Sequence, residues 1–270
     1  MFRRPKTSLM NTPQPIGEQL RDWRLRRRLS QLDLALDAEI STRHLSFVET
    51  GRAAPSRDMI LKLANELDVP LRERNGLLLA GGYAPVYADR PLDDASLGIA
   101  KAAIETLLAA HDPFPALAVD RHWNLVTANR AGSALMQGVA AHLLQPPINV
   151  LRLSLHPDGA APRIENLGEW KAHLLHRLRK QFEASADPQL LALLEELAGY
   201  PAPTAQRPDA GAIAVPLIVN SPAGNMTFLS TTLLFGTPLD VTLSELAIEI
   251  FLPADMATVE RLRGAVAKRT

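Results

Sequence analysis

Two serines placed where helices would begin, Ser30 and Ser41, and a glycine placed where the second helix would stop, Gly51, constrain this chain more than anything else in it. Ser30-Gln31-Leu32-Asp33 has the form of a capping box, the serine hydroxyl accepting from first-turn amides and Asp33 answering it. It opens a short helix carrying Leu32, Ala35 and Leu36. The segment Asp37-Ala38-Glu39-Ile40-Ser41 breaks that helix, and Ser41 caps another from Thr42 to about Thr50. Gly51 supplies the left-handed stop. Upstream, Ile16, Leu20 and Trp23 form one apolar stripe at i, i+4 and i+7, leaving Arg21, Arg24, Arg27 and Arg28 to solvent or phosphate. Downstream, Pro55-Ser56 opens a helix with Ile60, Leu63, Ala64 and Leu67 on one face, and Pro70 opens a fifth that ends at Gly81-Gly82. Residues 15–80 therefore read as five short helices, an all-α domain.

At 270 residues the chain has room for two domains of ordinary size. Residues 1–14, with Pro5 and Pro13 and no apolar period, read as a flexible basic arm. Residues 81–96 mix Gly, Pro and acidic residues without periodicity and read as a linker. Residues 97–265 carry mixed signals: a helix over about 97–110, strands over 116–119 and 125–128 about a turn at Asp120–Asn124, and helices near 130–136, 148–155, 167–184 and 188–197. Asn166 and Asp187 are the expected caps of the last two, and Glu169 stands at the third position after Asn166. Strands are expected over Ala212–Val219, Met226–Phe235 and Ser244–Leu252, the last with Leu246, Ile248, Ile250 and Leu252 on one face. An α+β domain with an antiparallel sheet is the economical reading.

The net charge of +0 conceals a division: residues 1–82 carry 14 Lys/Arg against 10 Asp/Glu, and residues 1–30 carry 8 against 2. Such an excess suits a polyanionic partner, although a solvated basic helix face gives the same count. With no cysteine, disulfides, thiolate metal sites and cysteine nucleophiles are excluded and a reducing compartment is expected. No apolar run approaches the roughly 18 residues that span a bilayer, so a cytoplasmic chain with no membrane partner is expected.

In a helix-turn-helix, one helix crosses the phosphate backbone and the next presents its N-terminal residues to base edges in the major groove. Residues 30–50 supply the pair, with Thr42, Arg43, Ser46 and Phe47 facing outward if Leu45 and Val48 face the core. The stretch S-Q-L-D-L-A-L-D-A-E-I-S-T-R-H-L-S-F-V-E-T-G-R-A-A-P-S-R-D-M-I-L-K-L-A resembles the Cro/cI-type (XRE) helix-turn-helix family. The resemblance covers residues 16–80 and implies a lambda repressor-like fold and a double-stranded DNA operator. It implies that Gln31 holds a phosphate and that Thr42, Arg43 and Ser46 read bases, with Phe47 on a thymine methyl and Arg52 as the basic residue after the stop. His44 either touches DNA or flanks the groove. The family's usual turn glycine is Glu39 here, and its usual capping-box glutamate is Asp33.

The runs A-V-D-R-H-W-N-L-V-T-A-N-R-A-G and L-R-L-S-L-H-P-D-G-A-A-P-R-I-E-N-L-G-E-W-K-A-H-L-L-H-R-L-R resemble the MmyB-like ligand-binding domain. That likeness, over about 97–265, implies a PAS-like sheet with flanking helices around an apolar pocket for a small hydrophobic, fatty-acid-like ligand. Ile213, Val215, Leu217 and Val219 agree with it, since apolar strands must be covered or must enclose something. Candidate lining residues are Trp123, Leu151, Leu155, Trp170, Leu174, Met226 and Phe228, each of which plain core packing also explains. Glu169, His173 and His176 share a helix face but offer too few ligands for a metal, so no metal or other cofactor is expected. No nucleophile elbow, H-E-x-x-H or phosphate-cradling motif is present, which argues against an enzyme. The sequence thus reads as a ligand-responsive, homodimeric transcription regulator. The rival readings are an antitoxin-type protein-interaction module, which a linked toxin gene would favour, and an enzyme built on the second domain, which turnover of a defined substrate would favour.

Overall fold

The computed structural model describes residues 14–205, 214–222 and 224–267, so the expected basic arm lies outside the described residues except for its last position. The chain divides into two compact units, residues 1–88 and 89–270.

The first unit holds α1 (Ile16–Arg26), α2 (Gln31–Asp37), α3 (Thr42–Glu49), α4 (Arg57–Glu66) and α5 (Leu71–Ala80). Both halves of the capping box form: the Asp33 amide donates to Ser30 Oγ at 3.1 Å and the Ser30 amide to Asp33 Oδ2 at 2.9 Å. The inward face of α2 is Leu34, Ala35 and, just beyond it, Ala38, whereas Leu32 and Leu36 are exposed. The turn to α3 runs through Glu39 at φ 49°, so a glutamate occupies the left-handed conformation that a glycine adopts without strain. Its carboxylate accepts from Lys62 Nζ at 3.0 Å.

Two contacts set α3 against α1. A Cβ on Gly17 would lie 2.2 Å from the Val48 carbonyl oxygen and 2.9 Å from that of Glu49, so the two backbones touch and only glycine fits. Two turns further along α1, Arg24 is buried, contrary to the expectation that it serves solvent or phosphate. Its Nε and Nη2 donate to the two carboxylate oxygens of Glu49 at 2.7 and 2.8 Å, and Nη1 donates to the Leu29 carbonyl at 2.8 Å. Arg27 is likewise committed inward, donating to the carbonyls of Leu67 and Asp68 where α4 ends. Cations near helix ends satisfy orphan carbonyls, and here that use engages two of the four expected arginines within the unit, Arg24 buried and Arg27 half-buried. The stretch read as a linker is divided between the two units. Val86 and Tyr87 amides donate to Asn75 Oδ1, and the Tyr83 hydroxyl donates to the Pro55 carbonyl. Arg90 pairs with Asp240 at 2.9 Å in the second unit.

The second unit runs α6 (Gly98–His111), β1 (Ala116–Val119), β2 (Leu125–Ala128), α7 (Arg130–Leu135), α8 (Val150–Leu155), α9 (Leu167–Ser185), α10 (Pro188–Ala198), β3 (Leu217–Val219), β4 (Met226–Leu234), α11 (Val241–Ser244), β5 (Ala247–Pro253) and α12 (Met256–Ala267). The five strands form one antiparallel sheet in the order β2-β1-β5-β4-β3. Of the strand expected over Ala212–Val219, Ala212 and Ile213 lie outside the described residues. Where a strand was expected from Ser244, a short helix intervenes, because Asp240 accepts from the Leu243 amide and caps α11. The alternation still marks the buried face: Leu246, Ile248 and Ile250 pack with Ile104 and Leu108 of α6, while Leu252 is exposed. The other face, with Leu117, Val119, Leu217, Val219 and Phe228, packs against α8, α9 and α10. Asn166 makes no capping bond to α9. It instead donates to the Pro216 carbonyl and accepts from the Ile218 amide, tying the start of α9 to β3.

Replacing Glu49 with Ala strands the Arg24 guanidinium in the interior. Breaking a buried pair in this way is expected to cost about 3–5 kcal/mol in the first unit's unfolding free energy, read by urea denaturation. An unchanged midpoint would show that the pair holds nothing.

Candidate functional site

Ser41 caps α3, its hydroxyl accepting from the His44 amide at 3.1 Å. Leu45 and Val48 are fully buried, Arg43 is exposed, and Thr42, His44, Ser46 and Phe47 are half-buried. The helix thus separates a core stripe from an accessible one, as a base-reading helix requires. Phe47 gathers the basic groups: the Arg43 guanidinium carbon lies 5.3 Å from its ring centroid and that of exposed Arg52 lies 6.0 Å away. Cations above a ring are held in place without losing their charge, so both remain available to a phosphate or a base. Gln31 sits at the first position of α2, and its Nε2 donates to Glu49 Oε2 at 2.8 Å. Glu49 therefore joins Arg24 of α1, Gln31 of α2 and the end of α3 in one network, which the sequence reading missed. The available signal was a charged residue inside the apolar stripe of α3.

The second unit contains a cavity of about 100 Å³; counting space open to solvent, the empty volume there is about 820 Å³. Trp123, Leu151, Trp170 and Leu174 line it, as expected. Leu155 and Phe228 do not. They lie fully buried in the surrounding core, and Met226 packs against that core from its edge. Periodicity identifies an inward face, but it does not distinguish side chains that fill a core from those that border a void within it. The remaining wall comes from α7 and its continuation, Leu135, Met136 and Val139, and from the sheet at Leu117, Leu217 and Val219.

Three charged groups missed in the sequence border the cavity: Arg163, Arg177 and Glu249. Arg177 donates to both carboxylate oxygens of Glu249, at 3.1 and 2.7 Å, and to Thr232 Oγ1 at 2.7 Å. Its guanidinium carbon lies 4.9 Å from the Trp123 ring. Glu249 was legible as the charge breaking the second face of the β5 alternation. Trp123 adopts φ 67°, uncommon for a bulky residue, in a turn held by Asp120 Oδ1, which accepts from the amides of His122 and Asn124 at 2.8 Å each. The indole N–H then reaches Gln181 Oε1 at 2.7 Å.

Asp187 secures this turn from α10. Its buried carboxylate accepts from the Gln189 amide at 2.9 Å and lies 2.8 Å from both Arg121 and His122. Burial opposes its ionisation, but the Gln189 amide, His122 and Arg121 together outweigh it and hold the carboxyl below the usual carboxylate range. Glu169, His173 and His176 do not converge; His173 stacks on Trp170 with centroids 5.5 Å apart, and burial pushes its imidazole pKa down. A different group, His142, His156 and Asp158, brings ligand atoms within 4.8 Å of one another on the surface.

The model of the MmyB-like transcription regulator ligand binding domain matches residues 100–265, the unit that holds the sheet and cavity. The chain belongs to the family of MmyB-like transcription regulators. A helix-turn-helix model matches residues 20–74, and the pairing of the two makes this MmyB-like chain a DNA-binding transcription regulator. A comparison with curated proteins gives no match. A solved structure described as an RNA-binding Light-Oxygen-Voltage receptor is matched at 16% identity over 96% of this chain, with a TM-score of 0.27, a likeness too slight to bear on fold or function. The chain spans 64% of that protein's length. Among the described residues, no helix is long and apolar enough to cross a membrane.

Because the Asp187 carboxyl titrates below its ordinary value, its contribution is fully present above the ordinary carboxylate pKa of about 3.9 and disappears as pH falls through the lower folded-state value. Asp187→Asn is expected to lower the second unit's melting temperature at pH 7. The gap to wild type should narrow as pH falls below about 4. A gap that does not change with pH would assign the loss to packing alone.

Proposed function

We propose that the chain is a cytoplasmic regulator that binds a pseudo-palindromic operator as a homodimer and responds to a small hydrophobic, fatty-acid-like ligand in the second unit. The observation carrying the DNA half is the division of α3 into two faces: Arg43 exposed, Phe47 between Arg43 and Arg52, and Leu45 and Val48 turned into the core. In this reading Thr42, Arg43 and Ser46 meet base edges, Phe47 meets a thymine methyl, and Arg52 and Gln31 meet phosphates. His44 flanks the groove. Gln31 reaches its phosphate by way of Glu49, whose carboxylate orients its amide.

Two-fold symmetry follows from the docking geometry, because a single recognition helix spans too few base pairs to select one site in a genome. Half-sites about one helical turn apart then call for two copies related by a dyad. The ligand half rests on the cavity, whose walls are apolar apart from Arg163, Arg177, Glu249 and Ser154. Occupancy regulates only if the ligand binds one DNA-binding arrangement better than the other, and the shift it produces is limited to that difference in affinity.

Gel-shift titration on the gene's own upstream region tests the DNA half. Arg43→Ala is expected to weaken operator binding by about 1–3 kcal/mol, the worth of a base contact. Affinity for a scrambled duplex should change far less. Equal affinity of the wild type for operator and scrambled DNA would overturn the proposal.

A further inference from the structure

We propose that Arg163 is the anchor for an anionic head group, so that the cavity selects amphiphiles carrying a single negative charge over neutral ones of the same chain length. This rests on the ligand reading above and specifies which end of the ligand the protein recognises, and with which residue.

Among the described residues, the charged groups that border the cavity are paired with each other, with one exception, and the indole N–H groups have acceptors. The Trp170 indole N–H donates to Ser154 Oγ at 3.0 Å, and the Trp123 indole N–H to Gln181. Arg177 and Glu249 cancel each other's charge through two hydrogen bonds, and Thr232 Oγ1 closes the triangle by donating to Glu249 Oε1 at 2.7 Å. Arg163 is different. Among the described residues, its side chain makes one hydrogen bond, from Nη2 to the Leu135 carbonyl at 2.8 Å, and no carboxylate pairs with it. The wall therefore carries one uncompensated positive charge, with guanidinium donors still available for a planar acceptor.

Arg177 is the poorer anchor. A ligand carboxylate taking its fork would displace Glu249, whose side chain is only 4% exposed, and leave that carboxylate buried without a partner. Arg163 costs nothing of the kind, because its bond to Leu135 engages one nitrogen only. It is also half-buried, so a charged head beside it keeps part of its hydration while the chain enters the apolar interior. Its backbone is fixed on both sides: its amide donates to the Ala160 carbonyl at 2.8 Å, and its carbonyl accepts from the Asn220 amide at 2.7 Å. The guanidinium thus projects from a rigid segment towards the end of α7, where Leu135 and Met136 line the cavity. A head group held there would add to the bond by which Arg163 already reaches the Leu135 carbonyl at the end of α7.

Trp123 and Trp170 line the cavity, so their fluorescence reports occupancy without a label. Decanoate and 1-decanol, alike in chain length and differing in charge, are titrated into the full-length protein at pH 7.5. Wild type is expected to bind decanoate at least about tenfold more tightly than 1-decanol, the worth of one charge-assisted contact. Arg163→Gln keeps an N–H donor for Leu135 but removes the charge. It should lose that preference while binding 1-decanol as wild type does, and Arg163→Lys should restore part of it. The wild-type comparison needs no variant and holds even if one misfolds. Equal affinity for the two probes in wild type, or an acid preference that survives in Arg163→Gln, would overturn the assignment of Arg163. Absence of binding by both probes would overturn the ligand reading itself and this inference with it.

Discussion

A buried carboxylate on the recognition helix, Glu49, fixes the geometry on which the DNA-binding unit depends. It takes both prongs of the Arg24 guanidinium from α1 and the Gln31 amide from α2, so three helices converge on two oxygen atoms. Apolar packing alone tolerates small rotations, because dispersion and hydrophobic burial are not directional. A bidentate Arg–carboxylate contact has a defined plane and distance, and a buried one is costly to break, so it sets the rotation of α3 about its own axis. The touching backbones at Gly17 fix the separation as well. The accessible residues of α3, Arg43 among them, are thus positioned by groups on the buried side of their own helix.

The second unit uses the same device to a different end. Arg177 of α9 grips Glu249 of β5 across the layer between helix and sheet, beside the ring of Trp123. A charged pair at the edge of an apolar cavity limits how far the space can collapse, since closing it further would press apolar groups onto ions. Next to this pair, Asp187 holds Arg121 and His122 in the left-handed turn that carries Trp123.

Much of this was legible in the sequence, and for identifiable reasons. Three of the five helices of the first unit announce themselves through caps, because Ser30, Ser41 and Ser56 each satisfy an amide that would otherwise be orphaned. The stripe of α3 was legible because 3.6-residue periodicity separates Leu45 and Val48 from Arg43. What stayed hidden was pairing between distant positions. Arg24 looks like any surface arginine until Glu49, 25 residues on, is seen facing it. Asn166 has the sequence of a cap, yet strand β3, about 50 residues away, takes its amide. Four of the seven expected pocket residues line the cavity and three fill the core around it, a distinction that depends on where helices and sheet part company.

Both units are braced by ion pairs between residues distant in sequence, Arg24 with Glu49 in the first and Arg177 with Glu249 in the second, and the proposal for the first is that the amino end of α3 reads sequence in the major groove. Selection from a pool of randomised duplexes with the full-length protein tests it most directly. The account predicts enrichment of one motif with two related halves about one helical turn apart. A pool that gains affinity without converging on any motif would contradict it.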